Sequence, residues 1–193
     1  IVDTIDDLKA FKGPKGKHDI ALSLAVFSAF TEGVSIFSAF AVLLNFSRYN
    51  KLKGVGQIIS WSIRDESLHS QAGCWLFREF IKENPEIWTD ELKKEIYDAA
   101  RTTVSLEDDF IDQVFSLGEV EGITAHDLKA FIRHRANVKL QELGLKTNWK
   151  RMDVDAVKRM EWFDFLSGGV EHQDFFAQRV VDYSKGTNDW DKM

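Results

Sequence analysis

The stretch IISWSIRDESLH, residues 58–69, decides the fold of this chain. It contains the sequence's only Glu-x-x-His pattern, Glu66 and His69, within a long apolar-periodic run that no proline interrupts. Such a run is typical of an α-helix. Because residues three positions apart share one face of a helix, Glu66 and His69 can hold one metal ion between them.

A second acidic residue occupies an apolar segment upstream. Glu32 is the only charged residue between Asp19 and Arg48. A helix that is apolar on nearly every side is expected to be buried, and a buried carboxylate without a partner is costly. We therefore expect Glu32 to be protonated, paired or bound to a metal.

These residues form half of a known kind of metal site. Ferritin-like bundles hold two metal ions with a glutamate from each of two helices and a Glu-x-x-His from each of two others. Glu32, Glu66 and His69 supply one set, and the chain contains no second Glu-x-x-His. The sequence thus predicts an all-α, ferritin-like helical bundle of which this chain contains one half.

Caps and breakers predict four long helices, at about residues 19–49, 55–83, 90–117 and 124–143, with a last short helix at 173–183. Asp19, Thr89 and Thr124 are the expected helix caps. The inward face of the second helix is expected to comprise Ile59, Ser62, Glu66, His69 and Gly73. We divide the chain into a connector (1–17), a bundle half that carries the metal ligands (18–144), an outer segment that wraps the bundle (145–183) and a mobile tail (184–193).

Composition excludes several classes of function. The net charge of −6, with no basic cluster, argues against a nucleic-acid-binding surface. The single cysteine, Cys74, excludes an intramolecular disulfide framework, is expected to be buried, and favours a reducing, cytoplasmic location. The apolar run at residues 20–44 is long enough to cross a membrane, but Glu32 and four serines within it favour a buried helix. Since the chain starts at Ile1 without a targeting pattern, we expect it to be a processed or split part of a longer protein.

One further carboxylate falls on an apolar helix face. Glu107 lies on the apolar stripe of the third predicted helix, so it is a candidate for another metal ligand. The alternative is a partly buried salt bridge or an interface contact. The adjacent Asp108 and Asp109 suggest a solvated edge and favour the alternative.

At these residues the sequence resembles the small (beta) subunit of class I ribonucleotide reductase, over the C-terminal half of that family. The similarity includes Glu32, placed 34 positions before Glu66, and the string RDESLH at residues 64–69. It continues through WFDF at 162–165 and FFAQRVVDY at 175–183. The Arg-Asp-Glu-x-Leu-His string and the aromatic tail are the specific parts of the match.

The resemblance implies a cofactor and roles for named residues. Glu32, Glu66 and His69 would be metal ligands, with Glu66 bridging two metal ions, most often iron, or manganese or a mixed Mn/Fe pair in some members. O2 chemistry there would produce the oxidant that starts reduction of ribonucleotides to deoxyribonucleotides in a separate large subunit. Asp65 and Tyr183 would serve radical transfer. Their structural alternatives are a salt bridge from Asp65 to a residue such as Arg64, and simple packing of Tyr183.

The resemblance also implies partners. An N-terminal half of the small subunit would supply the remaining ligands, the C-terminal tail would dock the large subunit, and the completed small subunit would be a homodimer. Two other readings of the same residues are a different ferritin-like di-metal oxidase, acting on a lipid-like ligand, and a non-enzymatic helical partner that has lost the metal.

Overall fold

The structure, a computed structural model, describes residues 13–168, and this part of the chain is helical. It contains no β-strand beyond one isolated bridge between Val120 and Ile123. The predicted all-α class is confirmed. The elements are α1 (Pro14–Ala25), a π-helix (Val26–Thr31), α2 (Phe37–Arg48), α3 (Lys53–Glu83), a 3-10 turn (Pro85–Ile87), α4 (Asp90–Ser116), α5 (Ala125–Glu142), α6 (Val154–Arg159) and α7 (Trp162–Gly168).

Local sequence signals placed three of the long helices correctly. The Thr89 side chain accepts a hydrogen bond from the Leu92 amide at 3.2 Å and caps α4. Thr124 accepts one from the Asp127 amide at 3.1 Å and caps α5. Gly144 follows α5 with φ of +85°, a left-handed conformation that favours glycine. α3 begins within two residues of its predicted start and ends at Glu83 as predicted.

The first predicted helix is wrong in two respects. It begins at Pro14, after Gly13, and not at Asp19. Proline is well suited to the first position of a helix, where no amide donor is needed, so α1 includes residues 14–17. The helix is also broken, because α1 ends at Ala25 and α2 begins only at Phe37.

The break is a π-helix followed by turns. The Glu32 amide donates to the Phe27 carbonyl at 3.0 Å, and the Ser35 amide donates to the Phe30 carbonyl at 2.9 Å. Each bond spans five residues instead of the four of an α-helix, which widens the turn. Within residues 13–168, no helix is both long enough and apolar enough to cross a membrane.

The core lies between the layer formed by α1, the π-helix, α2 and α3 and the layer formed by α4 and α5. α7 also contributes to it. Phe163 is 1% exposed, and its ring centre lies 6.0 Å from that of Phe37 and 5.0 Å from that of Phe131. The Phe163 side chain therefore fills space between α2 and α5, so α7 is part of the core.

α3 buries a different stripe from the predicted one. Its buried residues are Gly56, Ser60, Ile63, Ser70, Cys74 and Phe77. Ile59, Ser62, Glu66 and Gly73 are only partly buried, and His69 is exposed. The predicted inward face is therefore the neighbouring stripe, which is turned towards an open side of the helical fold.

Candidate metal centre

Three side chains from two elements converge at one point. Glu32 follows the π-helix, whereas Glu66 and His69 lie one turn apart on α3. One ligand atom of each residue lies within 4.8 Å of the others, and His69 Nδ1 is 3.7 Å from Glu66 Oε2. The predicted convergence of these three residues is confirmed.

Asp65 lies on the other side of the His69 ring. Its Oδ1 atom is 3.8 Å from His69 Nε2, which is beyond hydrogen-bond range. No ion pair joins Asp65 to Arg64 in the structure of residues 13–168. The imidazole thus presents Nδ1 to Glu66 and Nε2 to Asp65. A carboxylate near the outer nitrogen is the usual means of orienting a histidine ligand.

The donor set fits a metal ion. Glu32 is only partly buried, so the expectation of a fully buried carboxylate is wrong. The π-helix and the turn after it leave this residue at an open side of the helical fold. Its carboxylate forms no hydrogen bond or ion pair with another side chain of residues 13–168. Two carboxylates and an imidazole nitrogen that converge without a cationic side chain among them form a donor set suited to iron, manganese or zinc.

Glycine allows the π-helix region to approach α3 closely. A Cβ atom added to Gly33 would collide with the Ala29 carbonyl oxygen and would lie 2.7 Å from Ser70 Oγ. A Cβ atom on Gly73 would collide with the Ser28 side chain. These two contacts hold the segment that carries Glu32 against the helix that carries the other two groups.

Glu107 lies away from the three convergent groups. It is 6% exposed and accepts hydrogen bonds from the Ser38 hydroxyl and, at 3.4 Å, from the Ser38 amide. The Ser38 amide is in the first turn of α2, where no helical carbonyl can take it, so Glu107 caps α2 from α4. Glu107 therefore joins neither the candidate centre nor an ion pair within residues 13–168, and the interface contact stays a prediction.

Burial raises the pKa of Glu107 from its ordinary value of 4.5 to about 6, against the two Ser38 hydrogen bonds, which lower it; the nearby Asp108 also raises it. Between those two pH values the folded state binds more protons than the unfolded state, so stability falls as pH rises. We expect the free energy of unfolding to fall by about 2 kcal/mol from pH 4.5 to above pH 6, relative to Glu107→Gln. Urea unfolding of both proteins from pH 4 to 7.5 measures this, and parallel pH profiles would contradict it.

The candidate centre lies at an open face. A cleft of about 530 Å³ lies between α3, α5, α6 and α7, and none of the three convergent residues lines it. Large apolar side chains are instead exposed on the π-helix and along α3. They are Phe27, Val55, Ile58, Leu68, Trp75 and Leu76.

A helical fold that brings two glutamates and a histidine together from neighbouring elements defines the class of ferritin-like carboxylate proteins. Within that class, residues 3–155 match the family described as "Ribonucleotide reductase, small chain". The chain belongs to this family.

Individual relatives agree with this assignment. The chain is 39% identical over 176 residues to a protein of Invertebrate iridescent virus 3 named "Probable ribonucleoside-diphosphate reductase small subunit 048L". This match covers 90% of this chain and 46% of that protein. It is 27% identical to the ribonucleoside-diphosphate reductase subunit beta of Chlamydia pneumoniae, and this match covers 97% of this chain and 52% of that protein. The solved ribonucleotide reductase R2 subunit from Clostridium botulinum superposes with a TM-score of 0.67 at 25% identity, covering 74% of this chain and 44% of that one.

The chain spans about half the length of the curated relatives it matches. Tyr183, the predicted helix at 173–183 and the predicted tail lie outside the described residues. Their roles remain predictions.

Proposed function

We propose that this chain supplies one half of the di-metal site of a ribonucleoside-diphosphate reductase small subunit. The observation that carries the proposal is the convergence of Glu32, Glu66 and His69 within 4.8 Å on a partly exposed face. Membership of the small-chain family favours this function over a lipid-directed oxidase or a metal-free helical partner.

The chain's own residues would hold the metal as follows. Glu66, whose carboxylate lies within 4.8 Å of a ligand atom of each of the other two groups, would bridge two ions, most often iron, with manganese or Mn/Fe as the alternatives. His69 would bind through Nδ1, the nitrogen that faces Glu66, and Asp65 would hold the proton on Nε2. When bound, such a centre supplies, with O2, the oxidant that starts ribonucleotide reduction.

The remaining ligands would come from further small-subunit polypeptide, which we place N-terminal to the part that this chain resembles. One glutamate and one Glu-x-x-His are half of the ferritin-like set. The exposed apolar side chains on the π-helix and α3 give this second half a surface to cover. We further propose that the completed small subunit is a homodimer. Sedimentation at the mass of one completed small subunit would count against the dimer.

We also propose that Asp65 and Tyr183 take part in radical transfer. The reductase assay of the completed assembly tests the function and the role of Tyr183. With the large subunit and a ribonucleoside diphosphate, the wild-type assembly should form deoxyribonucleotide. Tyr183→Phe keeps the ring but loses the oxidisable hydroxyl. We expect it to retain metal and to lose nucleotide reduction.

Two outcomes of that assay would contradict the proposal. A metal-loaded wild-type assembly that forms no deoxyribonucleotide would overturn the function. A Tyr183→Phe assembly with normal metal content and normal turnover would overturn only the relay, leaving this tyrosine as a packing residue.

A further inference from the structure

The break after Glu32 leaves the Gly33 carbonyl without its helical partner. In an α-helix the Gly33 carbonyl would accept from the Phe37 amide, and in a π-helix from the Ser38 amide. The Phe37 amide instead donates to the Val34 carbonyl at 3.1 Å, and the Ser38 amide donates to the Glu107 carboxylate. The Gly33 carbonyl therefore needs a donor from elsewhere in the fold.

Arg135 of α5 is that donor. Its Nε–H donates to the Gly33 carbonyl oxygen at 3.2 Å. The guanidinium carbon lies 3.4 Å from the centre of the Phe37 ring and 5.7 Å from that of Phe131. These two rings fix the plane of the guanidinium against the helix break.

Arg135 forms no ion pair with a carboxylate of residues 13–168. Burial lowers the pKa of Arg135 to about 10, against the charges of Asp164 and Glu142, which raise it from beyond ion-pair distance. The side chain is therefore charged at neutral pH. The guanidinium contacts two aromatic rings and one carbonyl and pairs with no carboxylate. The Gly33 carbonyl is therefore its principal polar contact within the described chain.

A second residue of α5 packs against the same glycine. Lys139, one turn after Arg135, places its Cε atom 2.8 Å from the position that a Cβ atom of Gly33 would occupy. Lys139 is 5% exposed, and its ammonium is held by Glu142 at 2.7 Å. Gly33 is thus fixed at its carbonyl by one side chain and at its Cα by another.

We propose that Arg135 is a positioning residue for the metal ligand Glu32, acting through the carbonyl of the next residue in the chain. The inference rests on the proposed metal-binding function. Arg135 touches neither Glu66 nor His69, so its effect on the centre passes through the helix break alone. Removing the donor frees the Gly33–Val34 peptide group, the second after Glu32, to rotate, and the Glu32 carboxylate loses its fixed direction towards α3.

The test uses the completed small subunit and four variants. Arg135→Met keeps an unbranched apolar side chain between the rings but has no donor, whereas Arg135→Lys keeps a positive donor. Arg133→Met, on the same helix, removes the ion pair from Arg133 to Asp108 of α4 without touching Gly33. Mn²⁺ affinity is measured by titration, with free Mn²⁺ followed by electron paramagnetic resonance, and the thermal midpoint is measured without metal.

We expect Arg135→Met to weaken Mn²⁺ binding by about 10-fold or more, as replacing groups that orient metal ligands commonly does. Arg135→Lys should stay within about threefold of wild type by the same reasoning, because a donor remains. Arg133→Met should lower the thermal midpoint and leave the affinity unchanged. Arg135→Gln, whose amide is too short to replace the guanidinium, is measured in parallel in case Arg135→Met does not fold, and the same loss is expected of it.

Other outcomes overturn the inference in distinguishable ways. If folded Arg135→Met and Arg135→Gln bind Mn²⁺ as tightly as the wild type, Arg135 has only a structural role. The same holds if Arg133→Met loses as much affinity as they do. Either result would leave the proposed function standing. A wild-type assembly that does not bind Mn²⁺ at all would overturn the proposed function and this inference together.

Discussion

Replacing Glu66 with alanine will abolish metal loading of the completed small subunit. Glu66 shares a helix face with His69 and lies 3.7 Å from its Nδ1 atom, and its carboxylate supplies negative charge as well as a ligand oxygen. Glu66→Gln should retain weak binding, since an amide oxygen can coordinate a cation but cannot balance its charge. Metal content after desalting, measured by mass spectrometry, ranks the three proteins.

A matched control lies on the same helix. Glu79 of α3 pairs with Lys82 at 2.6 Å on the surface and lies away from the candidate centre. Glu79→Ala should load metal as the wild type does. Equal metal content in Glu66→Ala and Glu79→Ala would remove Glu66 from the site.

Gly33→Ala should have the second largest effect. The added methyl group would collide with the Ala29 carbonyl oxygen, a backbone atom that cannot move aside on its own, and would lie 2.7 Å from Ser70 Oγ. Overpacking of this kind typically costs about 1–3 kcal/mol of stability. Because relief of the clash moves the segment after the π-helix away from α3, Glu32 moves with it. We expect both a lower thermal midpoint and weaker metal binding.

Gly54→Ala is the control for this substitution. Gly54 lies in the first turn of α3, and a Cβ atom there would meet nothing within 4 Å. Alanine at such a helical position usually stabilises a protein by about 0.4–1 kcal/mol. Gly54→Ala should therefore be at least as stable as the wild type and load metal normally. A Gly33→Ala protein that behaves like Gly54→Ala would contradict the close-packing account.

Much of the helical fold could be predicted because its signals are local. Thr89 and Thr124 stand where a hydroxyl can accept an orphan amide, and Gly144 stands where a helix needs a left-handed residue to stop. The three convergent side chains were also predictable. The i, i+3 spacing of Glu66 and His69 fixes their shared face, and an isolated acid in an apolar segment marks Glu32.

The break between α1 and α2 could not be predicted from the spacing of apolar residues. The segment at residues 20–44 is apolar on nearly every side, so a shift of phase within it leaves no trace in the pattern of apolar residues. What holds the break is distant in sequence, namely Glu107 at the Ser38 amide and Arg135 at the Gly33 carbonyl. The available signals were the glycine directly after Glu32 and an arginine on the apolar stripe of α5.

Which of two faces of α3 is buried could likewise not be predicted from the sequence. Two stripes of α3 carry apolar residues at helical spacing. One contains Ile63 and Phe77, and the other contains Ile59 and Glu66. Only the packing of α3 against α2 and the π-helix decides that the first faces this chain's own core. The second is left at the open side, where the proposed second half of the bundle would lie.

The most direct measurement of the central claim is the metal content of this 193-residue chain, alone and after assembly with polypeptide that carries the rest of the small subunit. We expect the chain alone to retain little metal, because three ligands cannot hold two ions, and the assembly to retain two ions per completed bundle. An assembly that remains free of metal, or a chain that binds two ions tightly by itself, would contradict it.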